Sequence, residues 1–439
     1  MQIDPNTYPF LSEIVIHVYQ NQLEISEIVN GAHDSNWSKE FELFYNRQPK
    51  SSPYVKRLFL KKIGTSRRTG KVGYVDIRPI TDGSEVSEAY LNPPDNISTS
   101  NSVYPKCVDS YNEFGESIRC TPYIMPDTIF GMCIHASVWI CLKILERKKM
   151  IAQSLTIPEI QELVAGNPYT DKQGLLFVQT ARLLRMCRTQ AFYIISSEAG
   201  LNDEQMLTEL YAYVESGLPV ILGVDTAMLP WWIPGNHGYH SIVAIGHTMS
   251  NNEIDGFIFH DESRLPYQVL KKTDLINAWN IPYEGENQNY ERELLVAVPP
   301  EVVLPFFLVF QEFRQFISSL RNRNVFSETL NDLSIQPILM VADDLVHFAF
   351  ESDNVSFFDA LSDAGTFGVE KGYFWVIFLF ESGSNRTEKK NAKAFFIRDA
   401  TQKNDFRLIC LQREKDIVYQ INGKFYRRRG RSRRRTQIE

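Results

Sequence analysis

The spacing of hydrophobic and polar residues changes along the chain and divides it into regions. Residues 1 to about 115 favour strands, and two apolar-rich segments, 54–64 and 71–80, flank a basic turn as the arms of a β-hairpin do. The polar, turn-rich segment 90–102 indicates a boundary close behind it. We therefore predict an N-terminal, strand-leaning domain over residues 1–115, whose role the sequence does not reveal.

Between residues 116 and 290, helical spacing comes first and strand spacing follows. Four segments repeat their apolar residues as amphipathic or buried helices do: 131–149, 154–166, 174–186 and 201–217. Three short apolar runs are typical of strands, and the last two are joined by a polar turn: 218–225, 239–248 and 255–263. A short helix over 271–280 ends the region. Helices followed by antiparallel strands predict an α+β domain.

The C-terminal region repeats this order without a chemical motif. A helix over 301–320 precedes a group of strand-like segments, namely 336–342, 373–382, 392–400, 405–412 and 416–421. We predict a separate α+β domain over residues 291–425. From 426 to 439 the apolar pattern is lost, and we predict a basic disordered tail.

Charge changes the picture mainly at this tail. The chain has a formal net charge of -7, yet seven arginines lie between Arg427 and Arg435. A solvated terminus explains such a run as well as a contact with an acidic partner or with nucleic acid does, and both interpretations stay open. An acidic body does not favour a dedicated nucleic-acid-binding protein, which would carry a basic domain.

The remaining composition excludes several classes. The chain has 439 residues and is 44% hydrophobic, which suits a globular protein. The longest apolar runs, 302–310 and 373–380, are far shorter than the roughly 20 residues of a membrane span. The first 20 residues do not resemble a secretion signal. Six scattered cysteines lack a CxxC pair, so we predict no disulfide scaffold. Together these features predict a cytoplasmic protein without a membrane span or a cofactor.

Candidate chemistry begins at Cys133, which stands at the start of the most apolar predicted helix. The first turn of a helix offers unpaired N–H groups and a positive dipole end, so a thiolate there is stabilised. Gly131, just before it, permits close approach of a ligand. The alternative is an inert, buried cysteine, an interpretation that fits Cys141 and Cys187 inside their helices.

A thiol nucleophile requires a base, and the base requires a group that orients it. His240 opens the strand over 239–248, and Asp261 ends the strand joined to it by the hairpin. Antiparallel pairing brings the start of one strand beside the end of the next, so Asp261 is expected to reach the imidazole of His240. His237, in the preceding loop, is the rival base and a candidate substrate contact.

Two other interpretations concern the neighbourhood of His240. His237 and His240 with His260 and Asp261 contain metal-ligand residue types, but they lack a helical HxxxH frame, so we predict no metal site. The tryptophans of the preceding loop, Trp231 and Trp232, either pack in the core or form a wall of a substrate groove.

This order of features resembles the papain-like cysteine peptidases, and within them the peptidase C39-like group. The resemblance covers roughly residues 120–285 and rests on four segments in order: CIHAS from Cys133, VESGLPVILGVD at 214–225, HSIVAIG at 240–246 and FIFHDES at 257–263. It implies a papain-like domain over residues 116–290. The implied activity is hydrolysis of a peptide or other amide bond by Cys133, His240 and Asp261, without cofactor, on a protein or peptide substrate. Isopeptidase, deamidase and acyl-transfer reactions would use the same three residues, and these alternatives stay open.

The oxyanion position departs from that pattern. The family has a glutamine six residues before the cysteine, where this chain has Asp127, and a carboxylate would repel a developing oxyanion. The backbone N–H of Cys133 and the hydroxyl of Thr128 are the remaining candidate donors. Asp127 also favours an alternative function, in which a degenerate papain-like fold acts as a binding or scaffold protein.

Overall fold

The structure forms two compact units. It is a computed structural model that describes the chain over these residues: 1–40, 42, 54–66, 70–79, 85–98, 102–111, 117–126, 133–165, 176–232, 238–251, 253–279, 281–282, 290–323, 326, 333–351, 372–381, 392–401, 407–411, 416–421, 424–429 and 436–438. The first unit comprises Met1–Asp203, Gly217–Thr248 and Asp255–Val298. The second unit comprises Glu204–Ser216, Met249–Ile254 and Pro299–Glu439.

The first unit begins with a short α1 (Pro9–Glu13), a π-helical turn (Ile14–Val18) and an antiparallel sheet. The strands of this sheet pair in chain order, with the fifth added from further along: β1 (Leu23–Ala32), β2 (Val55–Lys62), β3 (Lys71–Ile77), β4 (Val86–Leu91) and β8 (Tyr123–Ile124). The short elements beside it are α2 (Ser35–Glu40), α3 (Asp95–Ser98), β5 (Val103–Pro105) and the hairpin strands β6 (Asp109–Tyr111) and β7 (Ile118–Cys120). The predicted hairpin over 54–80 is confirmed by the pairing of β2 with β3.

Helices then precede the central sheet, as the sequence predicts. They are α4 (Cys133–Arg147), α5 (Ile157–Ala165) and α6 (Phe177–Met186). Two further helices, α7 (Ser196–Ala199) and α9 (Lys272–Ala278), lie between strands of the sheet along the chain. The sheet contains β9 (Gln190–Ile195), β10 (Val220–Asp225), β11 (Tyr239–Ser250), β12 (Glu253–His260), β13 (Gln268–Lys271) and β16 (Glu293–Val298). A separate two-stranded pair consists of β14 (Ile281–Pro282) and β15 (Tyr290–Glu291).

The order of the central sheet is β13-β12-β11-β10-β16-β9, and β5 pairs with the far end of β11. Strand β10 is flanked by β11 and β16, and its residues 220–224 are buried, which explains its continuous apolar run. Three strands of this order, β9, β13 and β16, are absent from the sequence-based prediction.

The second unit contains α8 (Asp203–Glu215), whose first residue still belongs to the first unit, together with α10 (Phe306–Asn322), α11 (Ala342–Glu351) and one antiparallel sheet. Its strands pair strictly in chain order: β17 (Leu333–Val341), β18 (Tyr373–Glu381), β19 (Ala394–Asp399), β20 (Arg407–Leu411), β21 (Asp416–Ile421), β22 (Lys424–Arg429) and β23 (Thr436–Ile438). Aromatic rings of α10, such as Phe313 and Phe316, pack against Phe396 of β19. The coarse prediction of a mixed α+β chain is therefore correct.

Two predicted boundaries differ from the structure. Residues 1–115 are not a compact unit apart from 116–290, because β5 joins the central sheet and β8 joins the N-terminal sheet. The predicted disordered tail over 426–439 is wrong for its described part. Tyr426 and Arg427 lie in β22, which pairs with β21 and β23, since Phe425 and Tyr426 supply the aromatic residues of a strand. Residues 430–435 lie outside the described part of the chain.

Candidate active site

Cys133 is the first residue of α4 and stands at the boundary between core and surface. Its side chain is partly exposed and forms no disulfide, whereas residues 134–142 that follow it are buried. A helix that is apolar on all sides is fixed by packing along its length. The sulfur at its first turn is therefore held in place by the helix, at a residue that is only partly buried.

His240 and Asp261 are brought together by the central sheet. His240 is the second residue of β11, lies opposite Val224 of β10 and is only 4% exposed. Asp261 follows β12, the neighbour of β11, and is fully buried. The Nε2 atom of His240 and the Oδ1 atom of Asp261 are 2.9 Å apart, which is a hydrogen-bond distance. The hairpin thus produces the contact that antiparallel pairing predicts.

The thiol joins this pair from the helix side. The Sγ atom of Cys133, a ring nitrogen of His240 and a carboxyl oxygen of Glu262 all lie within 4.8 Å of one another. Since Nε2 faces Asp261, Nδ1 is the ring nitrogen left for the thiol. The three residues predicted from the sequence, Cys133, His240 and Asp261, hereafter the triad, are thus adjacent in that order.

The electrostatics of the triad favour an ionised thiol. Burial alone would raise the pKa of the Cys133 thiol, but a hydrogen bond to His240, the charge of His240 and hydrogen bonds from Ser241 lower that pKa from 9.0 to about 7. Burial would likewise lower the pKa of His240, yet the charges of Asp261 and Glu262 raise it well above its usual value. A thiolate–imidazolium pair is therefore stabilised near neutral pH.

Asp261 is held as an anion by several donors. Its Oδ2 atom accepts the indole N–H of Trp231 at 2.7 Å and of Trp232 at 2.9 Å, and its Oδ1 atom also accepts the backbone N–H of Ser263 at 3.1 Å. Burial would raise the pKa of Asp261, but the charge of His240 and these hydrogen bonds lower it below its usual value. The carboxylate is thereby fixed in one orientation toward the imidazole.

The two tryptophans thus have a contact that the sequence did not suggest. Trp231 and Trp232 are predicted to pack in the core or to line a substrate groove, whereas both indole N–H groups bind Asp261. The ring of Trp232 also lies 5.2 Å from that of His240, and the guanidinium of Arg264 lies 4.5 Å from its centroid on the ring face. Their role in substrate binding stays a prediction.

Ser241 and Glu262 have no role in the sequence-based prediction, and Ser137 enters it only as a small residue of the CIHAS segment. The hydroxyls of Ser137 and Ser241 are 3.1 Å apart, and Ser241 hydrogen bonds to Cys133. Glu262 is fully buried, and its Oε1 atom lies 3.6 Å from Nε2 of His240. Ser241 and Glu262 each follow a predicted triad residue directly, and that adjacency was the only signal available in the sequence.

Four predicted site residues lie outside the described part of the chain. They are Asp127 and Thr128 of the oxyanion prediction, and Gly131 and His237 of the substrate-binding prediction. The remaining oxyanion candidate is the backbone N–H of Cys133 at the start of α4. These four assignments stay predictions.

The site also contains metal-ligand atom types. Cys133, His240 and Glu262 offer a thiol, an imidazole and a carboxylate within 4.8 Å of one another. Zinc bonds of about 2.0–2.3 Å require ligands roughly 3.5 Å apart, so this set would have to contract. His260, weighed earlier as a ligand, is not part of it: its Nδ1 accepts the backbone N–H of Tyr267 at 3.1 Å, and burial lowers its pKa to about 3.

No protein-family model matches the chain, and no curated protein matches it. Among the helices in the described ranges, none combines the length and the apolar character needed to cross a membrane. The resemblance to papain-like peptidases therefore stays an expectation from the four sequence segments.

Proposed function

We propose that the chain is a cysteine hydrolase with a papain-like arrangement in its first unit, acting on a peptide or other amide bond. The observation that carries the proposal is the order Cys133, His240, Asp261, with 2.9 Å between the last two and a thiol whose pKa is lowered to about 7. These side chains come from a helix start, a strand start and a strand end, and a random packing contact would not be expected to align them.

The first half of the reaction forms an acyl-enzyme. The Cys133 thiolate attacks the carbonyl carbon, and the carbonyl π electrons move to oxygen, giving a tetrahedral intermediate. The N–H groups at the start of α4 are the candidate donors to that oxyanion. The His240 imidazolium then gives its proton to the leaving nitrogen, the C–N bond breaks, and a thioester with a free amine remains.

The second half releases the acid and restores the site. Neutral His240 takes a proton from water, and the resulting hydroxide attacks the thioester carbonyl. The C–S bond breaks, Cys133 leaves as thiolate, and His240 again carries the proton. Throughout, Asp261 keeps the imidazole oriented and stabilises its charged form, while Trp231 and Trp232 keep Asp261 oriented.

Single-turnover cleavage of a peptide library tests this proposal. The wild-type chain should release new amino termini, and Cys133→Ala should release none, because no acyl-enzyme can form. Cys133→Ser retains the geometry with a poorer nucleophile and is expected to be at least about 100-fold slower than wild type. Equal cleavage by wild type and Cys133→Ala would reject the proposal.

The alternative function, a binding or scaffold protein on a degenerate peptidase fold, is favoured by one feature of the sequence. Asp127 stands where the related peptidases have an oxyanion donor. A scaffold would not require an activated thiol, so a Cys133 thiol that reacts like an ordinary cysteine would support it.

A further inference from the structure

Glu262 is a buried acid beside the triad that the proposed mechanism does not use. It is fully buried, and neither of its carboxyl oxygens hydrogen bonds to another residue in the described ranges. Burying a polar group without a partner is costly, and such groups in folded proteins call for an explanation. Here the group lies 3.6 Å from the ring of His240 and within 4.8 Å of the Cys133 sulfur.

The neighbouring carboxyl group has the opposite environment. Asp261 accepts hydrogen bonds from His240, Trp231, Trp232 and the backbone of Ser263, and is thereby kept ionised. For Glu262, burial raises the pKa well above its usual value; the charge of His240 opposes this shift, and that of Asp261 adds to it. Two adjacent carboxyl groups with different environments commonly have different roles at one site.

The groups that face Glu262 come from three elements and from its own loop. They are Cys133 of α4, His240 of β11, Asp261 of the same loop and Tyr123 of β8. The Tyr123 hydroxyl donates to the backbone oxygen of Asp261 at 3.1 Å, and burial, with the charges of Asp261 and Glu262, raises its pKa well above its usual value. Tyr123 therefore stays neutral, and His240 is the cation of this set.

We propose that Glu262 is a positioning residue of the triad: it stays protonated while the thiolate–imidazolium pair works near neutral pH, and its ionisation at higher pH holds the proton on His240. The inference rests on the proposed function. A neutral acid leaves the thiolate undisturbed, whereas an anion beside the thiolate would repel it. Once ionised, the same group attracts the imidazolium, so the pair persists to higher pH than Asp261 alone would allow.

The pH dependence of Cys133 alkylation by iodoacetamide tests this inference without a substrate. The reagent is uncharged, so its rate follows the state of the thiol alone. In the wild-type chain we expect the alkylation rate to rise a first time, with increasing pH, when the thiolate–imidazolium pair forms. A second rise should follow when the imidazolium loses its proton, because the thiolate is then no longer paired.

Glu262→Gln keeps the size of the side chain and removes its charge. We expect the first rise in rate to stay at the same pH and the second to move down by about one pH unit. A carboxylate within about 4–6 Å raises the pKa of a neighbouring cation by about 1–3 units, and this contribution is lost in the variant. Glu262→Asp, which can still ionise, should return the second rise toward its wild-type position. Glu209→Gln is the matched control, because Glu209 is also a buried acid but belongs to the second unit.

A purely structural role for Glu262 predicts a different result. Replacement would then change stability but leave both rises in place, and that outcome overturns the inference while the proposed function stands. The proposed function is rejected instead if the alkylation rate of the wild-type chain does not rise at any pH below about 8.5, the ordinary pKa of a cysteine thiol.

An unfolded Glu262→Gln variant would not end the test. A buried amide without partners is destabilising, whereas an apolar side chain of similar length avoids that penalty. Glu262→Met is therefore the second variant. We expect its second rise in alkylation rate to occur at the same lower pH as in Glu262→Gln. Circular dichroism spectra identify which variants are folded.

Discussion

At the scale of single residues, the orientation of His240 depends on how Asp261 is held. One carboxylate accepts two indole N–H groups, one backbone N–H and the imidazole, so its charge and its direction are both fixed. Such hydrogen bonds to a charged group are stronger than neutral ones. The two tryptophans therefore act on His240 indirectly, because they hold the carboxylate that orients its ring.

A prediction at this scale follows from the indole N–H of Trp231. Trp231→Phe removes one donor from Asp261, so the pKa of Asp261 should rise and its hold on His240 should weaken. We expect the free energy of unfolding to fall by about 1–3 kcal/mol and the alkylation of Cys133 at neutral pH to become slower.

The matched control for that variant is Trp279→Phe. The indole of Trp279 donates to the backbone oxygen of Glu293 at 2.8 Å, in the same unit but on a group outside the triad. It should lower stability without altering the alkylation rate. Equal effects of the two variants on Cys133 would contradict the role given to Trp231.

At the scale of elements, the sequence predicts what depends on local pattern. The helix that starts at Cys133 and the hairpin that joins His240 to Asp261 are recognisable from spacing alone, because period and turn residues are local properties. Burial of Glu262 is not local: in the sequence, Asp261, Glu262 and Ser263 look like a polar turn. Its position inside the site follows from packing of β8 and α4 around that turn, which no periodicity encodes.

The missing strands have a similar cause. The strand β16 lies between β10 and β9 in the sheet, although about 70 residues separate it from β10 in the chain. Its apolar run is visible in the sequence, but its pairing partner is not. The boundary predicted at residue 115 is wrong for the same reason, since β5 pairs with β11 across more than 130 residues.

Helix α10 gives a prediction about pH at the element scale. It starts behind Pro305 without a side-chain cap of its own, and its first N–H groups bind Tyr213 and Glu209 of α8. Burial raises the pKa of Glu209 to about 8, although these hydrogen bonds oppose the shift. The folded state therefore binds this proton more tightly than the unfolded state does.

The sign of the effect is then fixed. Stability from the Glu209 proton is complete below the unfolded pKa near 4.5 and is lost as the pH rises to about 8. We expect hydrogen-exchange protection of α10 to fall over this window by the equivalent of a few kcal/mol in wild type. Glu209→Gln cannot ionise, so its protection should be flat there. Parallel curves for the two chains would contradict this assignment.

At the scale of the whole molecule, the basic C-terminus is in part structural. Phe425 of β22 is 8% exposed, its ring stacks on Phe316 of α10 at 5.5 Å, and the guanidinium of Arg323 lies 4.6 Å from its centroid. Described arginines such as Arg427 therefore belong to a strand that closes the sheet of the second unit. Contact with an acidic partner or with nucleic acid stays a prediction.

A pair of variants separates a strand from a free tail. Phe425→Ala should lower the free energy of unfolding of the second unit by about 3 kcal/mol, as expected for truncating a buried ring. Lys424→Ala, at an exposed position of the same strand, should change it by less than about 0.5 kcal/mol. Urea unfolding followed by Trp375 fluorescence measures both, and two negligible changes would show that the segment is free.

The most direct test of the triad is the alkylation rate of Cys133 at neutral pH, compared within one molecule with that of Cys187. Cys187 is also partly exposed and free, but burial raises its pKa to about 11. Mass spectrometry after brief iodoacetamide treatment should show Cys133 labelled at least about 10-fold faster than Cys187, and this advantage should be lost in His240→Ala. Equal labelling of the two cysteines, or an advantage that survives His240→Ala, would contradict the account.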